Sequence, residues 1–251
     1  MTADVVGYFA AGGNGLTAVR TTRVLETGAA TGGGPVDAGS VVSASLPGTI
    51  AGVASSHVTA VLADVSAISP TGSGTLTAYP PGASSWPATL PFRAGRSSDN
   101  LAIVPVQAGT FMVRANGGAT NVTVDIRGIV TDGSAPGSAL TAITPALVTN
   151  LKSLAAGSPH TVTVIGGATG VPATGVTGVL VALTATDPTA TASLEVYPAG
   201  TTAGPGAAMR VFRGDTRGTV MLVPVDAAGK VTLKLGAGHS GVRMDVRGYL
   251  S

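Results

Sequence analysis

Polar and apolar residues alternate with a period of two along much of this chain. Across residues 59–67, Val61, Ala63, Val65 and Ala67 fall on one side, and across 177–185 Val179, Val181 and Leu183 do the same. Successive strand side chains point to opposite faces, so the pattern predicts antiparallel strands with one face buried and the other more polar. Residues 75–79, 102–106, 110–114 and 121–129 continue it. In Val223-Pro224-Val225 a proline interrupts such a run. Proline has no amide hydrogen for the ladder, which predicts an edge strand or a bulge. The only helix candidate is residues 145–155, with a turn expected at 49–55.

The strands recur in order. Asp4-Val5-Val6-Gly7-Tyr8-Phe9, Asp125-Ile126-Arg127-Gly128-Ile129-Val130 and Asp245-Val246-Arg247-Gly248-Tyr249-Leu250 are versions of one strand, the last two 245 − 125 = 120 residues apart. A fixed period longer than one supersecondary unit implies tandem domains. Other anchors keep step: Tyr79-Pro80-Pro81-Gly82 with Tyr197-Pro198-Ala199-Gly200, Phe92-Arg93 with Phe212-Arg213, and Val104-Pro105-Val106 with Val223-Pro224-Val225. The expected layout is a terminal strand and joint at 1–15, one module at 16–131, a linker at 132–138 and a second module at 139–251. Residues 4–9 read as the end of a preceding module or as a strand donated to a neighbour. With roughly eight short strands per body and turn signals between them, the fold class is all-β: two tandem antiparallel β-sandwiches.

Composition narrows the class. Of 251 residues, 44% are hydrophobic and 10% charged, with 37 glycines and 16 prolines. That is too apolar for a disordered chain and too rich in turn formers for long helices. The net charge of +2 is spread thinly, without the basic run of a nucleic-acid binder. There is no cysteine, which removes disulfides, thiolate nucleophiles and cysteine metal sites. No stretch approaches the ~18 apolar residues of a membrane span. The first residues lack the pattern of a signal peptide, and the expectation is a segment of a longer exported chain rather than a cytosolic protein.

The stretches Gly170-Val171-Pro172-Ala173-Thr174-Gly175-Val176-Thr177, Thr186-Asp187-Pro188-Thr189-Ala190, Leu194-Glu195-Val196-Tyr197-Pro198-Ala199-Gly200, Val223-Pro224-Val225, Gly229-Lys230-Val231-Thr232-Leu233 and Asp245-Val246-Arg247-Gly248-Tyr249 follow one another in that order. Together they resemble a repeat module of secreted and surface-attached actinobacterial proteins, over nearly all of the second body and more loosely over the first. Tyr8-Phe9 fits the family's closing Gly-Tyr-Phe, and Ile129-Val130 departs from it. The resemblance implies a non-catalytic, all-β accessory unit, secreted or at the cell surface, with no catalytic residues to carry over.

Candidate chemistry is sparse. Two glycine clusters, 13–18 and 161–170, mimic nucleotide loops, but a helix N-terminus has to follow. Val171 to Gly178 instead brings a proline and two glycines, so the expectation is a loop without a cofactor. His57, His160 and His239 have no second histidine or paired carboxylate at ligand spacing. Neither metal nor catalysis is expected of them, although a triad assembled in space lies beyond sequence reading. Asp125 with Arg127 and Asp245 with Arg247 recur two residues apart, and Arg93 and Arg213 recur as well. They read as structural ion pairs or, alternatively, as a calcium or anion contact at the module junction. Trp86, on a loop between prolines, and the repeated Tyr79 and Tyr197 are the candidate ligand contacts, since aromatic anchors dominate binding surfaces. The expected partners are neighbouring modules, copies of the chain itself or a cell-wall polysaccharide, with no nucleic acid.

Overall fold

The computed structural model describes residues 15–28, 33–83, 86–206 and 208–251. The strand expected from Asp4, Val5, Val6, Gly7, Tyr8 and Phe9 lies outside the described residues. The chain divides into two units: residues 22–137 belong to the first, and 138–251 together with Leu16–Thr21 to the second.

In chain order the first stretch carries β1 (Leu16–Glu26), β2 (Val41–Ser45), a small hairpin of β3 (Thr49–Ile50) and β4 (Val53–Ala54), then β5 (Val58–Ile68), β6 (Gly74–Tyr79), β7 (Leu90–Phe92), β8 (Ser98–Pro105), β9 (Thr110–Gly117) and β10 (Asn121–Thr131). Two four-stranded sheets result, ordered β1-β10-β5-β8 and β2-β9-β6-β7. Setting the small hairpin aside, the first strand neighbours the last, the second the seventh, the third the sixth and the fourth the fifth. That is the connectivity of a jelly roll. The buried set is the one the alternation marks: Val61, Ala63, Val65 and Ala67 of β5 are fully buried, as are Leu76 and Phe111 of the other sheet.

The second stretch carries β11 (Leu140–Ala155), β12 (His160–Thr163), β13 (Gly178–Thr186), β14 (Ala192–Pro198), β15 (Met209–Val211), β16 (Arg217–Pro224), β17 (Lys230–Leu235) and β18 (His239–Leu250). Its sheets are ordered β11-β18-β13-β16 and β12-β17-β14-β15, the same connectivity. One core joins Val181, Leu183, Met244 and Val246 of the first sheet to Leu194, Val196, Val231 and Leu233 of the second. The two sheets are thus packed face to face. Gly248 of the closing strand lies where an added Cβ would come within 2.9 Å of the Thr141 carbonyl oxygen of β11, which accounts for a residue without a side chain there.

Two expectations are corrected. Residues 145–155 are not helical but lie in β11, an edge strand with register breaks after Ala142, Leu147 and Leu151. Each break inserts unpaired residues, so Leu147, Leu151 and Leu154 acquire spacings of three and four that imitate a helix, and Pro145 sits inside the first break. Residues 132–138 lie between β10 and β11, where the Asp132 amide donates to the His57 carbonyl and the Thr131 hydroxyl to that of Ala135. Residues 16–21, expected to open the first module, go with the second unit. There the Ser138 and Leu16 backbones exchange two hydrogen bonds, and Arg20 donates to the Thr202 carbonyl at 3.3 Å. Elsewhere the proline argument holds, because β16, which ends in Pro224, and β8, which ends in Pro105, are both edge strands.

Candidate functional site

The polar face of the β1-β10-β5-β8 sheet is itself buried. Asp125 stands opposite Asp64, and Asp64 opposite Leu101, so the two carboxyl groups are neighbours on adjacent strands. Asp125 is 2% exposed, Arg127 3% and Asp64 6%. Charges this deep require partners. Arg23 of β1 supplies a fork: its Nε and Nη2 donate to the two Asp125 carboxylate oxygens, each at 3.0 Å, while Nη1 donates to Glu26 at 2.9 Å. The hydrogen bonds to Asp125 are the main reason the guanidinium is held still further above its usual range. Arg127, at a bulge between Ile126 and Gly128, turns instead to Asp64 and donates from Nη2 at 3.2 Å. Burial pushes the Asp64 carboxyl up to about 7; Arg127 opposes this, and the charges of Asp99 and Asp125 add to it.

The second unit solves the same position differently. Asp245 accepts two hydrogen bonds from Arg243 of its own strand, both at 2.8 Å, and these draw its carboxyl below the usual range. Arg247 is exposed at the matching break in β18. Neither aspartate pairs with the arginine two residues after it. The arginine side chains that hold them, Arg23 and Arg243, are supplied by a neighbouring strand in one unit and by the same strand in the other. Arg93 and Arg213 are exposed in the turns that follow β7 and β15. Among the described residues no group of three or more His, Cys, Asp or Glu side chains is arranged to hold a metal ion.

A serine, a histidine and an aspartate do meet, where His57 reaches the Asp132 and Ser134 pair from 75 and 77 residues away. Ser134 Oγ lies 2.8 Å and Asp132 Oδ2 3.0 Å from the same His57 atom, Nδ1. Ser134 also donates to Asp132 from both its hydroxyl and its amide. A working triad needs the hydroxyl on one ring nitrogen and the carboxylate on the other, so that the ring relays a proton between them. Here both crowd one nitrogen, in an exposed turn. The arrangement caps that turn, and hydrogen bonds from Ser134 and then His57 hold Asp132 well below the ordinary carboxylate range. His239 Nδ1 lies 3.4 Å from Ser153 Oγ, and His160 is half-buried on β12.

The aromatic candidates lie elsewhere. Tyr79 ends β6 and Tyr197 lies in β14, both half-buried. Leu194, Val196 and Pro198 are buried, so alternation turns Tyr197 away from the core. Tyr79 stands opposite Met112 and Tyr197 opposite Thr232; one row along, Thr77 faces Arg114 and Glu195 faces Lys234. Each unit therefore carries a tyrosine and a basic residue at corresponding places on the outer face of its second sheet. Trp86 is half-buried in the β6–β7 connection, and no aromatic occupies the β14–β15 connection.

No family model matches the chain, and no curated protein matches it. Among solved structures it is similar to an IolB-like protein from Salmonella typhimurium at 13% identity and a TM-score of 0.29, covering 95% of this chain and 93% of that one. It is also similar to the PBSX exported protein XepA at 11% identity and a TM-score of 0.25, covering 90% and 85%. A Paenibacillus xanthan lyase matches at 13% identity and a TM-score of 0.22, covering 95% of this chain and 26% of that one. TM-scores this low carry no argument about this chain. What its own geometry defines is an all-β protein of jelly-roll-type sandwiches.

Proposed function

We propose that this chain is a non-catalytic tandem binding and spacer unit, a segment of an exported or cell-surface protein. One observation carries the reading. The charged groups that could do chemistry are spent on holding strands and turns, whereas each unit sets a tyrosine and a basic side chain on an outward sheet face. The resemblance to actinobacterial surface modules points the same way. Stiff sheets present the contacts, and repetition raises avidity through effective concentration. The test is sedimentation with insoluble cell-wall polymers, comparing the chain with a Tyr79→Ala, Trp86→Ala, Tyr197→Ala variant. Binding that the variant loses while keeping its β circular dichroism supports the reading. Turnover of polysaccharide or peptide substrates that disappears with His57→Ala overturns it.

A second reading, assembly into fibres by strand addition, is favoured by a separate observation. Val41, Leu147 and Val220, large apolar residues that are 37%, 51% and 42% exposed, lie on β2, β11 and β16, all edge strands. An edge with apolar side chains invites another strand. Light scattering of the chain with and without residues 1–12 decides: an unchanged monomer removes this reading.

A further inference from the structure

We propose that the outer face of the β12-β17-β14-β15 sheet binds an acidic polysaccharide. This rests on the binding reading above and names its ligand class. The face can be written out from the register. Down β17, Lys230, Thr232 and Lys234 alternate with buried Val231, Leu233 and Leu235, so the two lysines project on one side about 13 Å apart. Beside them on β12 stand Thr163 opposite Lys230 and Thr161 opposite Thr232. On β14, Tyr197 flanks Thr232 and Glu195 flanks Lys234; on β15, Arg210 stands opposite Ser193.

Charge chooses the ligand. Three cations, Lys230, Lys234 and Arg210, meet one carboxylate on the face, Glu195, and a second at its end, Asp226, which accepts the Lys230 amide at 2.7 Å, leaving 3 − 2 = +1. Lys234 Nζ donates to Glu195 at 3.3 Å, which fixes that lysine beside the tyrosine row, and Lys230 is exposed. A ring set between an exposed lysine and one held beside Glu195 suits a polymer of sugar rings bearing carboxylate or phosphate groups. Thr161 is exposed and shares a 3.1 Å hydrogen bond with the buried Thr232, so it is the outer hydroxyl of the pair that faces a ligand. A single-stranded nucleic acid is also a polyanion, but it is held by successive aromatic platforms, and among the described residues of these four strands Tyr197 is the one outward aromatic ring. The first unit keeps the reduced form: Tyr79 and Arg114, with Thr110 rather than a lysine opposite Ser45.

The experiment is affinity electrophoresis of the full chain through gels holding polygalacturonate, a neutral dextran, or no polymer, with an oligothymidylate competitor in a fourth series. Lys230→Gln with Lys234→Gln, and separately Tyr197→Ala, are compared after circular dichroism confirms an unchanged unfolding midpoint. Expected are retardation by polygalacturonate alone, roughly tenfold weaker in the double glutamine variant and in Tyr197→Ala, and a salt dependence that flattens in the former. Retardation by dextran that the glutamines leave unchanged overturns the acidic ligand while sparing the binding reading. Competition by oligothymidylate stronger than by free galacturonate oligomers overturns it in favour of nucleic acid. No retardation by any polymer, together with no sedimentation on cell-wall material, overturns both.

Discussion

At the scale of single residues, the two closing-strand aspartates show how one motif serves two electrostatic settings. Asp125 is buried, so removing its fork leaves a carboxylate without compensation. Arg23→Ala should cost about 3 kcal/mol in urea unfolding. Arg243→Ala, at an exposed guanidinium, should leave the midpoint almost unchanged, because surface ion pairs contribute little. Asp64 adds a pH dependence of unusual sign. Its carboxyl holds a proton in the folded chain up to about 7 but releases it near 3.8 when unfolded, so between those values the folded state binds more protons. Stability must then fall as pH rises through that window. Asp64→Asn should remove this slope in denaturation midpoints measured from pH 4 to 8; parallel curves for the two proteins would refute the assignment. The recurring acids are legible from the repeat alone. Their partners are not, because Arg23 lies 102 residues from Asp125 and only strand order makes them neighbours. His57 is hidden from Asp132 and Ser134 for the same reason, and no spacing rule would have joined it to them.

Among the elements, those with strict alternation are read correctly from sequence, and so is β10 with its bulge after Ile126, but β11 with three breaks is not. β5 and β13 keep an unbroken period of two across their apolar face, and both are central strands with that face in the core. β11 fails the same test because its breaks shift the phase every few residues, and a one-residue shift moves a side chain to the opposite face. Consequences differ accordingly. Leu183→Ala in β13 opens a cavity among fully buried neighbours and should cost about 2–5 kcal/mol, read from the thermal or urea midpoint. Leu147→Lys with Val220→Lys, on the edges β11 and β16, should leave that midpoint within ~0.5 kcal/mol. If edges mediate assembly, the same pair should also abolish any concentration-dependent rise in light scattering.

For the whole molecule, the repeat predicts two bodies, but only the strand order defines their connectivity, since pairing first with last is a long-range choice that local pattern does not encode. Nor does local pattern show that residues 16–21 go with the second body. A fragment of 138–251 lacks the Leu16 backbone bonds to Ser138 and the Arg20 contact at Thr202. It should keep its β circular dichroism yet unfold at a lower temperature than the second unit of the full chain. During synthesis, the same hexapeptide leaves the ribosome 138 − 21 = 117 residues before Ser138, with which its Leu16 exchanges backbone hydrogen bonds. The Leu16 bonds to Ser138 and the Arg20 contact at Thr202 stay unmade while another hundred amino acids are polymerised. Completion of the later body therefore waits on a loop closure spanning the earlier one, which should make the last folding phase slow and most open to capture by a chaperone.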